Sequence, residues 1–296
     1  MAALRSARNP HVPQVRSGFC ALCALPSARS LRRSHPQYFS LDMLETRNLT
    51  IRFGGHVAVN AVSCRFEPGT LTAIVGPNGA GKTTYFNLIS GQLTASEGAV
   101  LLGGRDVSAL SASARTRAGL GRAFQLTNLF PNLSVLENVR LAVQATLGGP
   151  HRRGLNLWSI WSDHARLTAR AHEILESVAM AQQQDAPVAS LPHGDQRKLE
   201  VALLMALDPQ VYMFDEPTAG MSHDEAPVIL NLIRKLKQDK SKTILLVEHK
   251  MDVVRELADR IIVLHNGTLV ADGEPAEVIA SPVVQEAYLG VAKEPA

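Results

Sequence analysis

Gly76-Pro77-Asn78-Gly79-Ala80-Gly81-Lys82-Thr83, preceded by the apolar run Leu71-Thr-Ala-Ile-Val75 and followed by a helical pattern to about Ile89, decides the fold of this chain. The eight residues match G-x-x-x-x-G-K-[ST] and stand where that pattern has mechanical meaning, between a strand and a helix. Glycines at 76, 79 and 81 let successive backbone N–H groups turn inward around polyphosphate oxygens, and the opening of the helix adds its positive dipole end. Lys82 supplies a mobile cation for the terminal phosphates, and the Thr83 hydroxyl can ligate a magnesium ion. A glycine turn joining a strand to a helix by accident would carry neither the lysine nor both flanks.

Working outward, a metal-holding carboxylate is expected at the end of another buried strand. Val211-Tyr-Met-Phe214 ends in Asp215, Glu216 and Pro217. The two acids suit different tasks: Asp215 holds Mg2+, and Glu216 faces the γ-phosphate and activates the attacking water. Beyond them the chain predicts helix 225–237, strand 243–247 ending near His249, helix 251–258, and a hairpin of 260–264 and 268–271 turned by Asn266-Gly267. Upstream, antiparallel strands over 49–53 and 56–66 are expected to feed the strand 71–75. Residues from about 127 to 196 read as an inserted, mostly helical subdomain, with helices 135–143 and 165–178 separated by a Gly, Pro and Arg-rich break at 148–154. Helix 196–207 then resumes the core. Strands alternating with helices predict an α/β protein with a mainly parallel core sheet, an N-terminal antiparallel β-subdomain and the helical insert.

Composition narrows the function classes. A chain of 296 residues, 46% hydrophobic, is long enough to bury a large core and excludes a disordered or fibrous protein. The three cysteines, Cys20, Cys23 and Cys64, form no double pair of the zinc type, and the lone C-x-x-C reads as chance. No apolar run reaches the roughly 18 residues of a membrane-crossing helix. The net charge of +3 is carried by the first 42 residues. Without their six arginines and one aspartate, 24 basic residues face 26 acidic ones, a net −2 that offers no electrostatic case for nucleic acid as partner. Those 42 residues lack any helical or strand period. They read as a disordered tail, as translated sequence upstream of a start at Met43, or as a targeting peptide; the body is expected to occupy 43–296.

Between the two motifs lies Leu191-Pro192-His193-Gly194-Asp195-Gln196-Arg197, just ahead of a helix and about twenty residues before Asp215. Here the sequence resembles the ATP-binding cassette (ABC) family, whose signature has the form L-S-G-G-Q, and the resemblance runs in order from Leu44 to Gly290. It implies ATP and Mg2+ as ligands. The nucleotide-contacting set would be Gly76, Pro77, Asn78, Gly79, Ala80, Gly81, Lys82, Thr83 and Thr84, with Phe53 stacking on adenine. Gln125 would join Thr83 and Asp215 at the metal, and Glu216, Gln125 and His249 would form the catalytic set. Gly194 would face the nucleotide of a second cassette, and 219–222 would touch that cassette. Each has a plainer reading alone: Phe53 as a strand aromatic, His249 as a core histidine, Gln125 as a lone polar residue. The ordered set is what is specific. Pro192 departs from the family by removing the signature hydroxyl, and His193 and Asp195 depart at the following positions; Gly194 and the helix start remain.

A finer resemblance is to the importer branch for branched-chain amino acids. It rests on Phe53-Gly-Gly, Phe86-Asn-Leu-Ile-Ser-Gly91, the insertion around 148–166, Asp195-Gln-Arg-Lys-Leu-Glu200, the Ala219-Gly-Met loop and Ala287-Tyr-Leu-Gly290. That resemblance implies an ATPase peripheral to the cytoplasmic face of the inner membrane. Its partners would be a second cassette, sister or self, two transmembrane permease subunits and, indirectly, a periplasmic solute-binding protein. Branched-chain amino acids lead as cargo, with related small polar solutes behind. Leu129 and Phe130 are the apolar candidates for permease contact, with burial in the core of the helical subdomain as the other reading. A soluble ABC ATPase acting on ribosomes or DNA, and an exporter cassette, are the alternatives.

Overall fold

β1 (Leu44–Phe53) buries Leu44, Thr46, Leu49, Thr50 and Ile51 and reverses at Gly54-Gly55 into β2 (His56–Phe66) with Phe53 opposite His56. In this computed structural model residues 44–123, 129–147, 157–222 and 224–289 are described. The N-terminal extension of residues 1–42, Cys20 and Cys23, Gln125 and the 148–154 break lie outside them. β3 (Leu71–Val75) is buried at every residue and leads through the glycine loop into α1 (Lys82–Ser90). β4 (Glu97–Leu102) and β5 (Arg105–Asp106) return to the first sheet, followed by α2 (Ala112–Arg117) and β6 (Leu120–Ala123). α3 (Val135–Leu147), α4 (Leu157–Ser177) and α5 (His193–Leu207) form a helical group in which α3 packs on the other two. The core resumes with β7 (Val211–Asp215), α6 (Ala226–Gln238), β8 (Thr243–Val247) and α7 (Met251–Leu257). It closes with β9 (Arg260–His265), β10 (Thr268–Gly273), α8 (Pro275–Ala280) and α9 (Pro282–Leu289).

Two sheets result. One is antiparallel in the order β2-β1-β4-β5; the other runs β10-β9-β3-β8-β7-β6 and is parallel except for the β9–β10 hairpin. The expected fold class holds, with one correction: the first strands do not continue into β3, which opens the second sheet instead. The turn at Pro68-Gly69 makes the transfer, with the Gly69 amide bonded to the Lys242 carbonyl ahead of β8. β4, β5, α2 and β6 are additions to the sequence reading, each six residues or fewer and too short to show a period. β3, β7 and β8 carry no exposed residue, as parallel strands covered on both faces require. Being parallel neighbours, they deliver their carboxyl ends to one edge of the sheet.

α1 is tied to the antiparallel sheet by its side chains. Tyr85 and Phe86 are fully buried beneath that sheet, and the Tyr85 hydroxyl meets Thr46 Oγ1 at 2.7 Å. Thr46 Oγ1 also accepts the Cys64 amide, joining β1, β2 and α1 at one buried point. Tyr85→Phe should cost about 1–2 kcal/mol by leaving the Thr46 hydroxyl one partner short. Urea denaturation of both forms measures it.

Candidate active site

β3 leaves the sheet at Val75 and the chain turns over Gly76 to Gly81 before α1 begins. Both ends of the turn demand glycine. Gly76 has φ 151° and a methyl there would run into the Leu264 carbonyl; Gly81 has φ 95° and a Cβ would lie 2.5 Å from the Ala58 carbonyl oxygen. The loop is thus pressed between β2 and β9. The β9–β10 turn braces it further: the Gly267 amide donates to Ala80 O at 3.0 Å, and the Asn60 amide donates to Gly267 O at 2.8 Å. The sequence marks Asn266-Gly267 as a hairpin turn only; its contact with a loop nearly two hundred residues away leaves no local trace.

α1 opens with no side-chain cap and no acid in its first turn, so its first amides are free for an anion. Lys82, 6% exposed, folds back so that Nζ donates to Gly76 O at 2.7 Å and Pro77 O at 3.0 Å. Burial lowers the pKa of its ammonium, and the Glu216 and Asp215 carboxylates oppose that shift. The loop carbonyls hold the ammonium where phosphate oxygens would take over. Thr83 is exposed and Thr84 half-buried, and neither hydroxyl is committed to another described residue.

The acids arrive from the adjacent strands. Asp215 ends β7 in register with Val247, the end of β8. Glu216 follows with φ 51°, a left-handed backbone that costs a non-glycine residue about 1 kcal/mol and is held by its amide bond to Val247 O at 2.9 Å. That turn aims its carboxylate at His249, whose Nε2 lies 2.6 Å from Glu216 Oε1. A pocket of about 280 Å³ is lined by residues 78–84 together with His56, Ala58, Glu216 and His249. The structure therefore unites the phosphate loop, Lys82, Glu216 and His249 in one cleft. Phe53 sits at its rim, half exposed and paired in register with the lining His56.

Three supporting residues were not singled out by the sequence. Arg122 on β6 donates through Nη2 to Asp215 Oδ2 at 2.6 Å, with both side chains nearly buried. Its Nη1 is shared among Asn87, Ser90 and Gln92, and the guanidinium lies 5.3 Å from the Phe86 ring centre. Burial lowers the Arg122 pKa and Asp215 opposes the change. Glu248, 3% exposed, accepts the Thr218 hydroxyl at 2.7 Å and the His249 amide at 2.9 Å, so it ties the turn after the acids to the turn that carries the histidine. Asn138 on α3 clamps the backbone of Phe130 through bonds of 2.9 and 3.2 Å, and the Phe130 ring itself is exposed. Leu129, beside it, is half-buried and packs against the helical core, the plainer of the two readings its sequence allows.

Gly194 lies elsewhere. It is buried in the first turn of α5, outside the cleft, and a methyl there would collide with the Glu225 carboxylate, which the Ser222 amide and hydroxyl hold at 3.0 and 2.9 Å. Asp195 is buried beside it. Desolvation resists its ionisation, yet the Lys198 ammonium and the Gln183 amide outweigh that and keep its pKa below the usual carboxylate value.

The donor set suits a small oxygen-seeking cation. Among the described residues no group of three or more His, Cys, Asp or Glu could hold a metal by itself. Arg122 occupies Asp215 Oδ2 and leaves Oδ1 without a hydrogen bond, and the Thr83 hydroxyl is likewise uncommitted. One carboxylate oxygen and one hydroxyl beside a phosphate cradle is the sparse protein share that Mg2+ takes when phosphates and water complete its shell.

A glycine loop after a central parallel strand, with a lysine and an acid-tipped neighbouring strand, defines a P-loop nucleotide-binding protein. The model of the ABC transporter family matches residues 59–219, and that of the branched-chain amino acid ATP-binding cassette transporter matches residues 268–294. The chain belongs to the ABC transporter family. It is 36% identical to BraF of Pseudomonas aeruginosa and to LivG of Escherichia coli, both high-affinity branched-chain amino acid transport ATP-binding proteins; each alignment covers 86% of this chain and all of the relative. Among solved structures, an ATP-binding cassette of an ABC transporter in its ADP conformation superimposes with a TM-score of 0.69 at 29% identity, over 84% of this chain and 99% of that one. These relatives do not favour a ribosome-acting, DNA-acting or exporter role.

Arg122→Ala should lower unfolding free energy by about 3 kcal/mol, because it strands the Asp215 charge in a buried site. The double variant Arg122→Ala/Asp215→Asn should lose less than Arg122→Ala alone, since no charge is then left unpaired. Chemical denaturation of the two proteins decides it.

Proposed function

We propose that this chain is the ATP-hydrolysing subunit of an importer for branched-chain, hydrophobic amino acids or related small polar solutes. It would work peripherally at the cytoplasmic face of the membrane with a second cassette and two permease subunits, which a periplasmic solute-binding protein supplies. The observation that carries the reading is the single cleft joining Lys82, Glu216 and His249 at the carboxyl edge of β3, β7 and β8. Similarity to BraF and LivG supports the cargo class.

The chain's own groups divide the work. The backbone N–H groups of the loop, which Pro77 lacks, and the Lys82 ammonium bind the phosphates, exchanging the internal bonds of Lys82 to Gly76 and Pro77 for stronger ones to charged oxygens. Thr83, Asp215 Oδ1 and Gln125 would hold Mg2+, which supplies charge neutralisation at the β- and γ-phosphates. Phe53 offers a ring face to adenine from the cleft rim. Glu216 accepts a proton from the water whose oxygen attacks the γ-phosphorus as the bond to the bridging oxygen breaks, giving ADP and phosphate. His249 fixes the Glu216 carboxylate by their 2.6 Å contact and faces the same phosphate. Gly194 would meet the nucleotide of the second cassette through the opening turn of α5. Among the described residues no helix is long and apolar enough to cross a membrane, so passage of solute falls to separate subunits. The exposed Phe130, clamped by Asn138, is the contact offered to them.

Glu216→Gln should bind ATP with wild-type affinity and hydrolyse it at least about 100-fold more slowly, as loss of a general base predicts. Full turnover by that variant would remove Glu216 from its role. Lys82→Ala should raise the dissociation constant for ATP about tenfold or more, read by titration. Recovery of the chain with two hydrophobic membrane proteins, and ATP-dependent leucine uptake by vesicles containing the assembly, tests the transport reading; recovery with ribosomes would overturn it.

A further inference from the structure

A second cavity lies on the opposite side of β3 from α1, beneath the C-terminal helices. It measures about 130 Å³, with Val75, Met251, Ile261, Val278 and Val284 among its apolar walls. Val75, Ile261, Val278 and Val284 belong to a hydrophobic cluster separate from the two that pack against α1 and the helical group. Two polar side chains reach this lining, Arg255 from the last turn of α7 and Gln285 from α9. Neither side chain has a hydrogen-bond or ion-pair partner among the described residues. Both are exposed to solvent, so the Arg255 guanidinium stands beside the apolar hole with water rather than protein as its present partner.

From this we propose a binding site for a small branched aliphatic carboxylic acid, with the alkyl group in the cavity and the carboxylate on Arg255. The apolar volume sets the scale of the alkyl group: a cavity of roughly 150 Å³ in another protein accepts benzene, so about 130 Å³ takes a branched group of four or five carbons. The walls are mainly valine and isoleucine, whose stiff branched side chains keep the hole open in advance. A single guanidinium matches one carboxylate, with its planar fork offering two parallel donors. Gln285 can accept from an α-ammonium or donate to a 2-oxo group, so branched-chain amino acids and their 2-oxo acids share the required chemistry. The site stands on the chemistry of the cavity alone; the proposed transport function only supplies a source of such acids.

The cavity is also joined to the ATP cleft by covalent continuity. Val75 immediately precedes Gly76, and Met251 follows His249 by two residues. An occupant therefore touches the strand that ends in the phosphate loop and the helix that begins after the histidine. Any preference of the occupant for one arrangement of those two elements appears equally as a change in ATP affinity.

The test is calorimetric titration of the purified full-length chain without nucleotide, using L-leucine and 4-methyl-2-oxopentanoate as the two ligand arms. Acetate and leucinamide, lacking the alkyl group and the carboxylate respectively, are controls. Expected is saturable one-site binding of at least one acid with a dissociation constant below about 1 mM, a scale suited to so small a ligand. The controls should bind at least tenfold more weakly. The acid that binds identifies the source, and binding of both supports the shared chemistry. Arg255→Gln, an exposed change that leaves the core intact, should weaken binding at least tenfold, and Val278→Phe should abolish it by filling the hole. Circular dichroism confirms that each variant is folded. Absence of saturation by about 10 mM in the folded wild type, or equal affinity in Arg255→Gln, overturns the site. Titration with ATP in parallel keeps this outcome separate from the nucleotide reading, which a failure here would leave untouched.

Discussion

The site depends on the parallel alignment of β3, β8 and β7, whose registers bring Ile74 beside Val247 and Val247 beside Asp215. Parallel strands leave a sheet at the same edge, so the phosphate loop, the acid pair and the histidine turn emerge side by side although nearly 140 residues separate Gly76 from Asp215. Strands buried at every residue make that edge rigid. The residues just beyond it carry the departures from ordinary backbone: left-handed Glu216, and glycines at 76 and 81 that no side chain could replace without moving a neighbouring carbonyl. Strain concentrated there is tolerated because the sheet behind it is fixed on both faces.

Charge in the cleft is arranged by unequal pairing. Asp215 has its own cation in Arg122, whose Nη1 is shared among Asn87, Ser90 and Gln92 while its buried Nε has no hydrogen-bond partner among the described residues. Lys82 has no carboxylate of its own and rests on two neutral carbonyls. Were Lys82 paired as tightly as Arg122, an incoming phosphate would have to displace a buried ion pair. Instead it displaces two ordinary hydrogen bonds, and the lysine gains a stronger partner than it loses. The buried Arg122–Asp215 pair also fixes the acid, since Arg122 engages one carboxylate oxygen and leaves the other without a hydrogen bond.

How much of this was legible follows from how local each feature is. The phosphate loop was readable because steric demands on Gly76 and Gly81 and the chemistry of Lys82 all fall within eight residues. The acid pair was readable because an apolar five-residue strand points at it. Arg122 was not: it sits on a four-residue strand, Leu120–Ala123, with no period of its own, and its importance comes from a partner 93 positions away. Glu248 hid beside the more conspicuous His249, its value lying in a bond to Thr218 that no spacing announces. The start of α5 fell at His193 rather than Gln196 because Pro192 is extended, with ψ 157°, and its ring does not obstruct the turn that follows. The change of sheet at Pro68-Gly69 was hidden because a turn residue marks a reversal without saying which sheet receives the next strand.

The helical group raises a different constraint. Its opening turn carries the buried Gly194 and lies outside the cleft that Lys82 lines. Within the chain that turn is faced by Glu225, which Ser222 pins in place, so an anion is already accommodated there in a form the protein supplies for itself. Ser222 and Glu225 follow Asp215 and Glu216 on the same connection out of β7. Movement of that connection, braced by Thr218 against Glu248, would therefore shift the carboxylate at Gly194 and the base at Glu216 together. A phosphate presented to Gly194 would meet the Glu225 carboxylate, carried nine positions after Glu216 on the connection that leaves this chain's own acid pair. The same short segment thus joins what a second cassette would touch to what this cassette does to its own nucleotide.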